Sequence, residues 1–270
     1  MIPSGVRGVL ACGPLSDGTP RLTHSWYPAS QALAPFVERY WSVSWDLAGQ
    51  SGHRVETLQH PSVHMVFDYS GEARVWGLAR GKFMRMLDGK SGMFGVKFTP
   101  GGFFPFLGKP VSLLADRIVS LAHIFGRLGY ELERAVSAEV EDSGRHRVVD
   151  AFLQSRQIET DATARWITEV VYAVASDRTL LKVDDLVARY GVSKRTLQRQ
   201  FAKYVGATPK RVIQRYRLHE AAAQLAAGSD VNHATLAVSL GYSDQAHFVR
   251  DFKATVGVPP AAYAATKAAV

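Results

Sequence analysis

The 270-residue sequence predicts an α+β protein of two domains. The first is a small barrel- or sandwich-like β domain with trailing helices, and the second an all-α domain of two helix-turn-helix units joined by a long helix. Three observations predict it. Between Trp26 and Phe106 apolar residues come in short runs with strand-like alternation, separated by Gly- or Asp-containing breaks. From Ser193 to Arg217 the spacing turns helical: Leu197, Phe201, Tyr204, Val212, Ile213 and Tyr216 recur among eight Lys or Arg, with no Asp or Glu. That stretch then has a second copy 51 residues downstream, pairing Leu197 with Phe248, Arg199 with Arg250, Phe201 with Phe252, Gly206 with Gly257 and Pro209 with Pro260.

In chain order, residues 1–20 are rich in Gly, Pro and Ser without a period and read as a loose lead-in. Trp41, Val43, Trp45 and Leu47 alternate with Ser42, Ser44 and Asp46, as in a strand with one wet face. Further strands are expected at Val63–Phe67, Arg74–Trp76, Phe83–Leu87 and Phe94–Phe98, with breaks at Tyr69-Ser70-Gly71 and Asp88-Gly89-Lys90. Thr99-Pro100-Gly101-Gly102 turns the chain out of the sheet. The N-terminal domain, 21–157, is thus mainly β to about residue 107 and helical afterwards. Leu121, Ile124, Phe125 and Leu128 form one helical stripe, continued from Tyr130 to Glu139; Asp142-Ser143-Gly144 breaks it, and Val148, Val149, Phe152 and Leu153 mark another short helix. Residues 158–163 read as a polar linker.

Residues 164–270 form the second domain. Ile167, Val170, Val171 and Val174 are the buried face of its first helix. A short helix through Leu186 and Val187 ends at Tyr190-Gly191, and Ser193 is placed to cap the next. Thr208-Pro209 opens a long helix to about Ala227, ended by Gly228. The second unit repeats the plan: Leu236 to Leu240, a turn at Gly241-Tyr242-Ser243, then Asp244 to about Thr255. The connecting helix would be about 28 Å long, against roughly 34 Å between successive major-groove faces of B-DNA. One chain is therefore able to present two recognition helices to one side of a duplex.

Charge supports the division. Of the net charge of +8, residues 160–270 carry +6, from 15 Lys/Arg against 9 Asp/Glu. A folded cationic surface suits a polyanion, above all nucleic acid, although charged helix faces are also commonly just solvated. The single cysteine, Cys12, excludes an internal disulfide and a cysteine-rich metal site. The first thirty residues lack a secretory pattern, and no run approaches the roughly 20 apolar residues of a membrane span. A cytoplasmic protein with no membrane partner is expected. There is no Gly-rich phosphate loop, nucleophile elbow or paired metal motif, so no enzyme activity and no cofactor are expected. His53, His60 and His64 invite a metal reading, but on a strand His60 and His64 would stand about 13 Å apart, too far for one ion.

The sequence resembles the AraC/XylS family of bacterial transcription regulators over about residues 165–265. The residues that carry this are Ser193-x-x-x-Leu197-x-Arg199-x-Phe201, Gly206-x-Thr208-Pro209, Arg217-Leu218, the run Gly241-Tyr242-Ser243-Asp244-Gln245-Ala246-His247-Phe248-x-Arg250-x-Phe252-Lys253, and Gly257-x-Pro259-Pro260-x-x-Tyr263. Two positions depart: Ala264 stands where an Arg is usual, and Val187 where a small Ala is common. The resemblance implies two units inserting recognition helices into adjacent major grooves, with Arg195, Gln198 and Arg199 facing bases from the first and Gln245, His247 and Arg250 from the second. Arg is able to donate two bonds to guanine, and Gln to pair with adenine. Lys194, Lys203, Lys210 and Arg211 are phosphate contacts on this reading, or else solvated charges. Leu197, Phe201, Phe248 and Phe252 are core.

The N-terminal half resembles, less specifically, a sensor-like domain placed ahead of this module in some regulators. It does so through Pro35–Trp41, His60–Phe67 and Lys97–Gly102. The implied partners are duplex DNA, a small-molecule effector of unspecified identity, RNA polymerase if the protein activates, and a second copy of the chain as a homodimer. Trp41, Trp45 and Trp76 are candidates to line an effector pocket, with ordinary core as the competing reading. A protein-interaction or dimerisation domain without a small-molecule ligand stays open as the alternative. A DNA-repair enzyme carrying the same module is disfavoured, since Cys12 stands alone.

Overall fold

The computed structural model describes residues 9–10, 22–227 and 232–268. Cys12 and Gly228, which entered the sequence reading, lie outside them. The N-terminal domain opens with strands β1 (Val9–Leu10), β2 (Leu22–Tyr27), β3 (Val37–Asp46), β4 (His53–Thr57), β5 (His64–Asp68), β6 (Ala73–Trp76), β7 (Phe83–Leu87) and β8 (Lys90–Phe98). Helix α1 (Phe104–Leu107), a 3-10 turn (Val111–Leu114), β9 (Ile118–Ser120), α2 (Leu121–Phe125), α3 (Arg127–Ser137) and α4 (Asp142–Ser155) follow. Two antiparallel sheets result, a six-stranded one in the order β2-β3-β8-β5-β6-β9 and a three-stranded one in the order β1-β4-β7.

The large sheet is covered on both faces, and this is what its sequence conceals. Trp45, Leu47, Val66, Trp76, Leu87 and Met93 pack between the sheets. On the other face Tyr40, Met65, Phe67, Phe94, Val96 and Phe98 share a core with Leu121, Leu132, Val149 and Leu153 of the helices. The polar face expected on β3 is covered only in part: Ser42, which pairs with Phe94, is 4% exposed, whereas Ser44 is half-buried and Asp46 is exposed.

Other expectations need correction. The lead-in contains β1, whose Val9 and Leu10 pair with Thr57 and Glu56. Strands β2, β4 and β9 went unrecognised because they are polar or short: LTHSWY, HRVET and IVS. The Leu121–Leu128 stripe is split at Gly126, whose φ of 58° no helix accepts. Asp142-Ser143-Gly144 does not break a helix but begins α4, where an acidic first turn suits the positive end of the helix dipole.

The C-terminal half comprises α5 (Ala162–Ser176), α6 (Val183–Tyr190), α7 (Lys194–Tyr204), α8 (Pro209–Ala227), α9 (His233–Ser239), α10 (Gln245–Val256) and α11 (Pro260–Ala268). Helix α5 starts inside the expected linker because the Asp161 carboxylate caps it, accepting the N–H groups of Thr163 and Ala164. A β-rich half followed by a helical half is the α+β arrangement expected.

Helix α8 runs past both units, and each end of it has its own core. Ile167, Val171, Leu186, Leu197, Phe201 and Val212 pack around its first half, joined by Leu78 from the N-terminal domain. Leu218, Ala222, Leu236, Phe248 and Phe252 pack around its second half, joined by Leu58. The two halves of the chain thus share cores rather than meeting only through a linker.

Candidate nucleic-acid interface

Each unit is built by the same local chemistry. In the first, Gly191 takes the left-handed conformation that ends α6 (φ 63°), and the Ser193 hydroxyl accepts the Thr196 N–H at 3.1 Å to start α7. In the second, Gly241 (φ 81°) makes the turn and the Asp244 carboxylate accepts the His247 N–H at 2.7 Å to start α10. Leu197 and Phe201 in one helix, and Phe248 and Phe252 in the other, are fully buried, which turns the opposite face of each outward.

Five of the six base-contact residues that the resemblance implies fall on those outer faces. Arg195, Gln198 and Arg199 on α7, and Gln245 and Arg250 on α10, are exposed, and none makes a side-chain hydrogen bond or ion pair with another described residue. His247 differs: it is half-buried, its Nε2 lies 3.4 Å from Asp251, and its ring meets Tyr242 edge-on at 5.3 Å. Gln214 of α8 also donates to Asp251, so the middle of α10 is tied to the connecting helix. A cleft of about 420 Å³ runs along this seam between the units, lined in part by Lys182, Lys210, Gln214, Tyr242 and Asp251.

The cations of the basic stretch divide three ways, which their spacing did not reveal. Lys194 and Lys210 are exposed, the former 2.6 Å from Asp184. Lys203 and Arg211, expected on phosphates, are turned instead toward the N-terminal domain. The Lys203 ammonium lies 4.6 Å over the Phe104 ring, and Arg211 faces Asp116 at 3.7 Å. Arg215 and Arg217 are structural. Arg215 donates to the carbonyls of Ala79 (2.6 Å), Arg80 (2.8 Å) and Gly81 (3.2 Å). Arg217 donates to those of Val174, Asp177 and Leu180 and to Glu220. Both guanidinium groups are buried and spend their terminal N–H donors on these acceptors, although the Arg217 Nε is buried without a partner, so neither is turned toward DNA.

The three tryptophans expected to line an effector pocket pack together with the sheets. Trp76 stacks on Phe83 at 4.4 Å, Trp45 donates its Nε1–H to the Asp88 carbonyl, and the Trp41 ring lies over Gly95, where a Cβ would collide with it. These rings are the core between the sheets. A separate groove of about 530 Å³ lies on α4, beside His146, Asp150 and Gln154. His60, weighed as a metal ligand, stacks on His219 of α8 at 4.3 Å. Among the described residues no cluster of three or more His, Cys, Asp or Glu is arranged to hold a metal. Nor is any described helix long and apolar enough to cross a membrane.

Two capped helix-turn-helix units with bare polar faces, carried on one helix and docked to a β-rich domain, define a two-domain helix-turn-helix protein. The helix-turn-helix domain family matches residues 186–266, and a domain of unknown function (DUF6597) matches residues 25–120. The chain is 32% identical over 98 residues to the transcriptional activator AarP of Providencia stuartii, covering 36% of this chain and 72% of that one. It is 26% identical over 208 residues to an AraC-like transcription regulator of Streptomyces lividans, covering 67% of this chain and 68% of that one. It is 37% identical over 75 residues to the activator RhaS of Pectobacterium carotovorum, a match that spans 26% of RhaS. Among solved structures, ToxT from Vibrio cholerae aligns over 91% of this chain and 97% of its own, at 12% identity and a TM-score of 0.38. The chain belongs to the AraC/XylS family and is a DNA-binding transcription regulator. Its two departures from the family pattern both lie in packing positions: Val187 is partly buried against the first unit's core and Ala264 against the second's.

Proposed function

We propose that the protein regulates transcription by reading two adjacent major-groove segments of one duplex, with α7 in the first and α10 in the second, under the control of its N-terminal domain. Arg195, Gln198 and Arg199 read bases from α7, and Gln245, His247 and Arg250 from α10. Lys194 and Lys210 neutralise phosphates. The observation that carries this is the pairing of two outward faces whose exposed Arg and Gln side chains make no hydrogen bond or close ion pair among the described residues, Arg250 only lying within the field of Asp244, on units separated by a helix about 28 Å long. Unpaired guanidinium and carboxamide groups are suited to base edges. Binding falls steeply with salt as phosphate counterions are released.

Control through the N-terminal domain rests on its contacts with α8, where Arg215, Tyr216 and His219 all meet it. A small molecule, a protein partner such as RNA polymerase, or a second copy of the chain acts by changing those contacts. The test is selection from a random DNA pool by the full chain, with a small-molecule thermal-shift screen beside it. A sequence-specific pool supports the reading and an unselected pool rejects it. A compound that both raises the melting temperature and changes the selected affinity supports effector control. If no compound does both, the control acts through a protein.

A further inference from the structure

The repeated units close on equivalent glycines, Gly206 and Gly257, and the N-terminal domain touches the chain at both. At the end of α7 the missing Cβ of Gly206 (φ 82°) leaves room for Val111, whose carbonyl oxygen would stand 3.0 Å from it. Beside it the Phe104 ring meets Tyr204 at 4.4 Å. At the end of α10 the missing Cβ of Gly257 (φ 94°) leaves room for the Lys82 ammonium. Lys82 donates to the Val256 carbonyl at 3.1 Å and to Glu56 at 2.7 Å. Glu56 is 1% exposed and is also held by Arg54. The carbonyls of a helix's last turn lack partners within the helix, and a cation is favoured there by the dipole.

We propose that the N-terminal domain is a two-point clamp on the carboxyl ends of the recognition helices, and that Lys82 and Val111 are positioning residues that fix the spacing and angle at which the two readers meet DNA. The inference rests on the two-groove reading proposed above. A buried carboxylate and ammonium are costly to assemble, and apolar side chains would pack the same site at least as stably. What the ionic link adds is direction. Leu58 and the contacts of Arg215 and His219 hold α8 against the N-terminal domain, whereas the hydrogen bond from Lys82 to one carbonyl acts at the end of α10 itself and sets its rotation. The tolerance is narrow, because each added base pair turns the second half-site by roughly 34°.

The test uses the full chain and duplexes carrying the two selected half-sites at separations varied one base pair at a time. Wild type is expected to prefer one separation over its neighbours by about tenfold, the worth of one charge-assisted hydrogen bond. Lys82→Met is expected to reduce that preference to about threefold or less, with affinity for DNA carrying a single half-site unchanged. Glu56→Gln combined with Lys82→Met leaves no buried carboxylate without its ammonium and is expected to do the same should the single variant fold poorly. An unchanged spacing preference in a folded variant overturns the clamp. So does a wild type indifferent to spacing. Failure of wild type to select any DNA brings down the two-groove reading itself, and is distinguished by the absence of half-site binding.

Discussion

Replacing Arg217 by Met tests whether the basic stretch is partly structural. The side chain is 3% exposed and donates to the carbonyls of Val174 (3.0 Å), Asp177 (3.0 Å) and Leu180 (3.3 Å), with Glu220 at 2.8 Å. It therefore closes the carboxyl end of α5, which stops at Ser176, from a neighbouring helix. Methionine restores most of the volume but none of the donors. A buried acceptor left unpaired costs about 1–3 kcal/mol, and breaking a buried charged group's contacts costs about 3–5 kcal/mol. Taken at the low end of both ranges, about 4 kcal/mol corresponds to a fall in melting temperature on the order of 10 °C for a chain of this size. The assay is thermal unfolding followed by circular dichroism at matched protein concentration. Lys210→Met, an equal change in charge at an exposed site of the same helix, is expected to shift stability by no more than about 0.5 kcal/mol. Should both variants melt together, Arg217 is not the fastening described.

Other outcomes follow from the same geometry. Arg199→Ala and Arg250→Ala are each expected to relax base preference at separate positions about one helical turn apart, by about 1–3 kcal/mol per contact. Equal loss on every sequence would contradict direct reading. Lys210→Ala is expected to lower the slope of log affinity against log salt by about one, whereas Lys203→Ala leaves that slope unchanged because its ammonium lies over Phe104. A reduced slope in the Lys203 variant would place that residue on DNA. Burial, reinforced by Arg215 and Lys97 and opposed by the Gln59 carbonyl, holds the His219 pKa down at about 3. Unfolded His takes a proton near 6.5, so this contribution is complete above that pH and is lost at about 1.4 kcal/mol per unit as pH falls toward 3. His219→Phe is expected to flatten the pH dependence of urea unfolding between pH 6.5 and 5, and an unchanged slope would contradict the burial argument.

Much of the C-terminal half was legible because local chemistry decides it. Ser193, Asp244 and Thr208 cap helices wherever they fold, and a Gly-x-x-Pro closing each unit has one backbone solution. The face of α7 follows from Leu197 and Phe201 alone. What could not be read was decided by long-range contact. Nothing near Arg215 signals that three carbonyls of residues 79–81 will surround it, and nothing near Lys203 announces Phe104. One cue was present: Arg217 stands beside Leu218 and four residues before Ala221 on the apolar stripe, at a phase where a solvated cation does not belong. In the N-terminal half the period-two signal of β3 was sound in type but only partly right in consequence, because the polar face is covered at Ser42. Strand β4 hid behind Arg54 and Glu56, whose charges are matched by Lys82 from elsewhere.

Hydroxyl-radical footprinting of the full chain on a duplex drawn from the selected pool tests the two-reader arrangement most directly. Protection is expected in two patches centred about one helical turn apart on a single face of the duplex, the second patch weakening relative to the first in Arg250→Ala. One patch only, protection wrapping both faces, or none would contradict it.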